Sequence, residues 1–205
     1  MCLILPVEAR RLFPERYFLK EPQNMNRLIA FSAVCAISVG SALPLQAESF
    51  VSVLQVIEEM GETPYECDGY DPATQSCSGL SYMRTEEGII YNASWFAIEN
   101  PAGEPWVFLA SSEYEFLFGW GCPSNWGQAP TIRYVDGGDP DLGPQYAELI
   151  QSQLNESYDP DAPCAGYYPD GPQRYRIEYR YRNGELAERP DSHVRFFFEP
   201  KELRP

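Results

Sequence analysis

An apolar segment at residues 25–47 constrains this chain more than any other feature, because it decides which residues remain to form a domain and where they fold. The segment has the order of a secretory signal. It begins with the positive charge of Arg27, continues uncharged and apolar, and ends in Ala47, the small residue that a signal peptidase requires. We therefore expect export to the periplasm or secretion, with residues 1–24 as an upstream extension and residues 48–205 as a single acidic globular domain.

An uncleaved membrane anchor is the rival interpretation of the same segment. Residues 28–47 carry no charge over about the length that spans a bilayer. Pro44 and three serines within this stretch argue against a spanning helix. We expect cleavage, and no stable membrane association of the mature chain.

The charge of the mature chain indicates which partners to expect. Beyond residue 47 the sequence has ten Lys and Arg against 27 Asp and Glu, a net charge of −17. Nucleic acid is not an expected partner, because its binding depends on cations that contact phosphate. The field of such an acidic body steers basic molecules toward it. The first expectation is therefore a non-catalytic exported binding or interaction protein directed at a basic protein.

The charges are unevenly spread along the mature chain. Residues 48–172 contain two basic and 21 acidic residues, whereas residues 173–205 contain eight basic and six acidic ones. The C-terminal part of the chain therefore forms a different electrostatic surface from the rest.

Four cysteines follow the signal segment, and an even number in an oxidising compartment predicts two disulfides. Of the three possible pairings we favour Cys67–Cys77 with Cys122–Cys164, because the residues between the first two are rich in turn formers. A zinc site lacks support, since the sequence has no CxxC pair and His193 is its only histidine. No cofactor is expected.

Aspartates in two loops leave calcium as an open alternative, because carboxylate oxygens are the ligands that Ca²⁺ prefers. Neither loop follows the EF-hand spacing, and aspartate is also a routine turn residue. The aspartates of the two loops are Asp136, Asp139 and Asp141, and Asp159, Asp161 and Asp170.

Hydrophobic periodicity predicts an α+β fold, with a mostly antiparallel sheet built from hairpins and two amphipathic helices. Helical spacing occurs at residues 50–57 and 144–154. The second helix has a single apolar stripe, which comprises Tyr146, Leu149, Ile150 and Leu154. The predicted strands are residues 80–85, 89–97, 106–110, 114–120, 131–135, 174–182 and 194–198.

The predicted connections complete this picture. Ser111-Ser112 is predicted as the turn of the second hairpin, and Asn183-Gly184 favours a type I′ turn in the C-terminal one. Residues 121–130 and 158–172 are predicted to be loops, because Pro and Gly recur in both and Asp is frequent in the second.

The C-terminal strand carries the most suggestive pattern for a binding site. Alternation places tyrosines and an isoleucine on one face and four arginines on the other, namely Arg174, Arg176, Arg180 and Arg182. Arginine forks suit carboxylate and phosphate, so this face is a candidate site for an acidic polysaccharide, a lipid phosphate or an acidic partner. The competing interpretation is that these arginines only neutralise carboxylates of the protein itself.

Two tryptophans near Cys122 suggest a second candidate site. Trp120 and Trp126 lie in one aromatic, glycine-containing segment, where an exposed pair would stack on a saccharide or anchor a protein partner. The alternative is that Trp120 continues the buried aromatic stripe of residues 114–118.

Catalysis has weak support in the sequence. None of the common nucleophile, metallohydrolase or nucleotide motifs occurs, and a lone His193 limits acid–base arrangements. Glu113 and Glu115 would project from one strand face roughly 7 Å apart, a separation that glycosidases use. We expect no catalytic residue, and a glycosidase-like hydrolase that uses this pair is the alternative.

Overall fold

The computed structural model describes residues 49–100, 102–124 and 128–205. The signal segment and the upstream extension lie outside the described residues. Two helices are present in the described part of the chain, α1 (Val53–Glu59) and α2 (Gly143–Ser157). The strands are β1 (Tyr65–Asp68), β2 (Ser76–Cys77), β3 (Gly79–Glu86), β4 (Ile89–Glu99), β5 (Pro105–Leu117), β6 (Trp120–Pro123), β7 (Thr131–Asp136), β8 (Cys164–Pro169), β9 (Arg174–Arg180), β10 (Ser192–Phe197) and β11 (Glu202–Leu203).

Nine of these strands form one antiparallel sheet, in the order β4-β3-β1-β10-β9-β8-β6-β5-β7. β4, at one end of this order, also pairs with β5, the strand next to the other end, so that all of these strands except β7 form a closed sheet. The long strand β5 makes closure possible. One of its edges pairs with β4, while the other pairs first with β7 and then with β6.

Side chains from strands far apart in the closed sheet meet in one core. Ile90 of β4, Ile177 of β9 and Phe196 of β10 belong to the same buried cluster as Val53 and Val56 of α1. Because these strands lie at different positions around the closed sheet, the cluster occupies its interior. Each fully buried aliphatic or aromatic side chain contributes about 1.5–3 kcal/mol.

A second core forms where α2 packs against β5 and β7. Trp106, Phe108 and Ala147 are buried together there. The predicted apolar stripe of α2 is wrong in part, since Leu149 is 53 % exposed. The helix instead turns small residues toward the sheet, because it lies so close that a Cβ on Gly143 would meet the Tyr134 ring at 2.4 Å.

Both disulfides connect as expected, Cys67–Cys77 and Cys122–Cys164. All four cysteines are buried. The predicted antiparallel sheet with two helices and two disulfides is therefore confirmed.

Four predicted connections are wrong. Asn183-Gly184 does not form a type I′ turn, because Gly184 has a positive φ but Asn183 does not. Ser111 and Ser112 do not form a turn but continue β5, because they lie opposite Ala93 and Asn92 in the β4 ladder. The two predicted loops also contain strands, β6 and β8. These short strands pair at Gly121 and lie beside the Cys122–Cys164 bridge, so tertiary contacts override weak local β propensity there.

Candidate functional site

The outer surface of β9 and β10 carries the arginines that the sequence analysis selected. Tyr175 and Ile177 of β9 are buried in the closed sheet, whereas Arg174, Arg176 and Arg180 alternate with them and face outward. β9 ends at Arg180, so Arg182 lies beyond this strand.

Two of these arginines form ion pairs with carboxylates of the protein itself. Arg176 pairs through Nη1 with Asp191 Oδ2 at 2.7 Å and with Glu178 Oε2 at 3.5 Å. Arg180 donates from Nε to Glu178 Oε1 at 2.6 Å, and this hydrogen bond raises the pKa of Arg180. The Glu178 side chain is 14 % exposed, which makes it a well-shielded partner for both guanidinium groups.

Arg182 also forms an ion pair with a carboxylate of the protein. Its Nη2 atom lies 2.5 Å from Glu115 Oε1, and the same atom donates a hydrogen bond to the Pro123 carbonyl. Glu113 is exposed on the same face of β5 as Glu115. The carboxylate pair considered for glycoside hydrolysis therefore includes one member that is held by an arginine.

Arg174 differs from the other three arginines. Antiparallel register places it directly opposite Arg195 of β10, and both side chains are exposed. Neither forms an ion pair with any carboxylate among the described residues. Like charges that face each other across an antiparallel pair are unfavourable, so we expect this arrangement to carry an electrostatic cost.

A third cation contacts the same aromatic ring as Arg195. The Arg195 guanidinium lies 5.4 Å from the centre of the Tyr70 ring and 5.1 Å from that of Phe197, and Lys201 Nζ lies 4.7 Å from the Phe197 centre. Lys201 likewise has no ion pair within the described ranges. We call Arg174, Arg195 and Lys201 the cation cluster. Contacts with aromatic faces fix such cations without neutralising them.

The first disulfide and the C-terminal segment hold the aromatic side of this cluster in place. The Cys67–Cys77 bridge closes the loop that contains Tyr70, and β2 pairs in parallel with β11 immediately after Lys201. Arg204 then donates hydrogen bonds to the Ser76 carbonyl, at 2.9 Å, and to the Gly69 carbonyl. The loop and the C-terminal segment thus form one braced unit.

Sequence reasoning missed Arg195 and Lys201. The alternation of His193, Arg195 and Phe197 with buried Val194 and Phe196 would have placed Arg195 on an outer face. The register that sets it opposite Arg174 has no local signal, because Pro190 and an irregular segment separate the two strands in sequence.

Trp120 is a packing residue of the outer surface rather than part of a loop. It lies in β6, where Phe50 stacks on it with ring centres 5.0 Å apart and an interplanar angle of 16°. Its indole also approaches Gly166, where an added Cβ would meet the ring at 2.4 Å. The Arg180 guanidinium lies 5.9 Å from its centre. Trp126 lies outside the described residues.

A buried carboxyl group lies inside the closed sheet. Glu66 is 9 % exposed, and Tyr167 donates a hydrogen bond from its hydroxyl to Glu66 Oε2 at 2.8 Å. Burial raises the pKa of Glu66 from 4.5 to about 7, although the Tyr167 hydrogen bond opposes part of this increase. Burial also raises the pKa of Tyr167 well above its usual value. This pair makes folding sensitive to pH near neutrality.

Three of the six loop aspartates cap turns of the backbone. Asp136 Oδ1 accepts the Gly137 N–H, Asp139 Oδ1 accepts the Asp141 N–H, and Asp159 Oδ1 accepts the N–H of residue 161. Within the described part of the chain, no group of three or more His, Cys, Asp and Glu side chains is placed to hold a metal ion. No helix in that part is both long and apolar enough to cross a membrane.

Comparison with known proteins gives no match to a family model, to a curated protein or to a solved structure.

Proposed function

We propose that this protein is a non-catalytic exported binding protein whose ligand presents a multiply charged oxyanion to the cation cluster. The observation that carries the proposal is the direct opposition of Arg174 and Arg195, both exposed and neither paired with a carboxylate within the described residues. A bound oxyanion would turn this repulsion into two charge-assisted interactions.

The chemistry of the cluster suits phosphate, sulfate or carboxylate groups. Each guanidinium offers a planar fork of donors, and the Lys201 ammonium, which lies against the Phe197 ring, adds a point charge. The Arg195 guanidinium is already held by Tyr70 and Phe197, so it loses less freedom on binding than a free side chain would.

The acidity of the protein does not prevent such binding. Exposed charges more than about 10 Å away are largely screened at an ionic strength of about 0.1 M, whereas direct contacts are not. Arg176, Arg180 and Arg182 are not included in the proposed site, because Glu178, Asp191 and Glu115 engage them.

Two double variants with equal changes in charge test this function. Arg174→Gln with Arg195→Gln removes both forks of the cluster. Arg84→Gln with Arg133→Gln removes two exposed arginines of β3 and β7 and is the matched control. The ligands are inorganic pyrophosphate, measured by calorimetry, and heparin, measured by column retention, so that a small oxyanion and a sulfated polysaccharide are compared.

We expect the cluster variant to bind at least about tenfold more weakly, because charged hydrogen bonds contribute about 1.5–3 kcal/mol each. The control variant should bind as the wild type does. Binding of pyrophosphate and heparin together indicates recognition of the oxyanion itself, whereas binding of heparin alone assigns the site to a polysaccharide. Equal affinity of the two double variants, or no binding of either ligand by the wild type, contradicts the proposal.

A further inference from the structure

A groove of about 520 Å³ lies between β7 and α2. On the strand side it is lined by Ile132, Arg133 and Tyr134, and on the helix side mainly by Ala147, Glu148, Gln151 and Ser152. Among the described strands, β7 is the last in the order of the sheet and pairs with β5 alone. Its second edge therefore faces the groove side with no described strand beside it.

One side chain already bonds to this edge in the manner of a strand. The Ile132 backbone N–H donates to Gln151 Oε1 at 2.7 Å, and Gln151 Nε2 donates to the Pro130 carbonyl at 3.0 Å. The side-chain amide of Gln151 thus accepts a hydrogen bond from Ile132 and donates one to Pro130, two residues earlier. A backbone residue of a neighbouring parallel strand bonds in the same pattern.

The bonding positions continue beyond Gln151. Because strand residues alternate in direction, the backbone N–H and C=O of Tyr134 point to the same edge as those of Ile132. Among the described residues, none forms a hydrogen bond with the Tyr134 backbone on this side. Next to the Gln151 amide, the Tyr134 backbone groups on this edge of β7 are therefore available for hydrogen bonds.

The charge around the groove favours a cationic occupant. Glu148 lines it, and Asp136, the last residue of β7, and Asp139 and Asp141, which follow it, carry exposed carboxylates. Arg133 is the one basic side chain among the residues that line the groove. Charge complementarity of this kind selects partners and increases their rate of association.

We propose that this groove takes an extended, basic segment of a protein partner, which adds to β7 as a further strand beside α2. Strand addition of this type combines backbone hydrogen bonds, which provide affinity, with alternate side-chain contacts, which provide specificity. The partner strand continues from the Gln151 amide and pairs with Tyr134, and its cationic side chains lie near Glu148 and the aspartates after β7. None of the groove residues belongs to the cation cluster, so the two binding activities are separable.

A labelled peptide of about eight residues, with alternating Lys and Val, is the probe, because this length covers the whole of β7. Its affinity is measured by fluorescence anisotropy at an ionic strength of about 0.01 M, where charge attraction extends furthest. A second peptide has the same sequence with N-methyl groups on alternate residues. It keeps every charge but cannot donate backbone hydrogen bonds from one edge.

Two variants of α2 separate the groove from the rest of the acidic surface. Ser152→Trp places a large side chain in the groove, and Gln153→Trp places the same side chain on an exposed position of the helix that does not line it. We expect the N-methylated peptide and the Ser152→Trp variant each to weaken binding about tenfold or more, because each removes at least one or two backbone hydrogen bonds and their packing. The Gln153→Trp variant should bind like the wild type.

The proposal is overturned by any of three results. The first is that the unmodified peptide fails to bind. The second is that the N-methylated peptide binds as tightly as the unmodified one, which would mean attraction by charge alone. The third is that the two tryptophan variants bind the peptide with equal affinity. A heparin or pyrophosphate measurement on Ser152→Trp should be unchanged, which distinguishes this site from the cation cluster.

Discussion

The buried carboxyl group of Glu66 should make the stability of this protein decrease as pH rises toward neutrality. Its pKa is raised from 4.5 to about 7 in the folded protein. At about 1.4 kcal/mol for each pKa unit, this difference corresponds to about 3 kcal/mol. Between these two pH values the folded chain holds a proton that the unfolded chain has released, so the free energy of unfolding falls across that window. Above this pH window the free energy of unfolding has lost the whole contribution of Glu66 protonation.

Glu66→Gln removes the titration while keeping the size of the side chain and an oxygen that can accept the Tyr167 hydrogen bond. Urea unfolding, followed by tryptophan fluorescence, gives the free energy of unfolding of both proteins at several pH values. As the pH rises from about 4.5 to about 8, we expect the free energy of unfolding of the variant to increase by about 3 kcal/mol relative to that of the wild type. The exposed Glu62→Gln is the matched control.

The difference between the two proteins, rather than either curve alone, is the informative quantity, because the other titrating groups contribute to both. Its value at low pH reports the packing and hydrogen bonding of the new amide. A difference that stays constant from acid to neutral pH would refute the reasoning, since Glu66 would then titrate alike in the folded and unfolded chains.

Three further substitutions have expected outcomes that the same unfolding measurements check. Arg174→Gln should stabilise the protein by about 0.5 kcal/mol, because it relieves the repulsion from Arg195, and an unchanged or lower stability would contradict that repulsion. Phe118→Asn should stabilise it by about 1 kcal/mol, because Phe118 is 88 % exposed with a φ of 51°, a region that asparagine tolerates better; a loss of stability would reveal packing by the phenyl ring. Gly143→Ala should destabilise it by about 1–3 kcal/mol, because the methyl group meets the Tyr134 ring, and a neutral result would mean that α2 shifts freely.

Local signals in the sequence were sufficient for the parts of the fold that depend on neighbouring residues. The Cys67–Cys77 bridge follows from a short insert of turn-forming residues, and the outward arginines of β9 follow from two-residue alternation. The same alternation could not show that β5 continues through Ser111 and Ser112. Small polar residues are equally common in turns, and only the β4 ladder opposite them decides the outcome.

The binding surfaces depend on contacts between residues that are distant in sequence, which is why the sequence analysis found only part of them. Arg174 was selected, but its opposition to Arg195 depends on the register of two strands, and the approach of Lys201 depends on the pairing of β2 with β11. The groove beside β7 depends on the side chain of Gln151, whose residue type gives no indication that it bonds to a strand edge.

The closed sheet also sets an order in which the chain can fold. β1 lies between β3 and β10, so one of the earliest strands of the domain has to wait for one of the latest before both of its edges are paired. Pairing over such a long sequence separation is slow, because loop-closure entropy is lost before the contacts form. A chain that lacks its final residues cannot complete the sheet, and during synthesis it remains without the closed core until β10 is available.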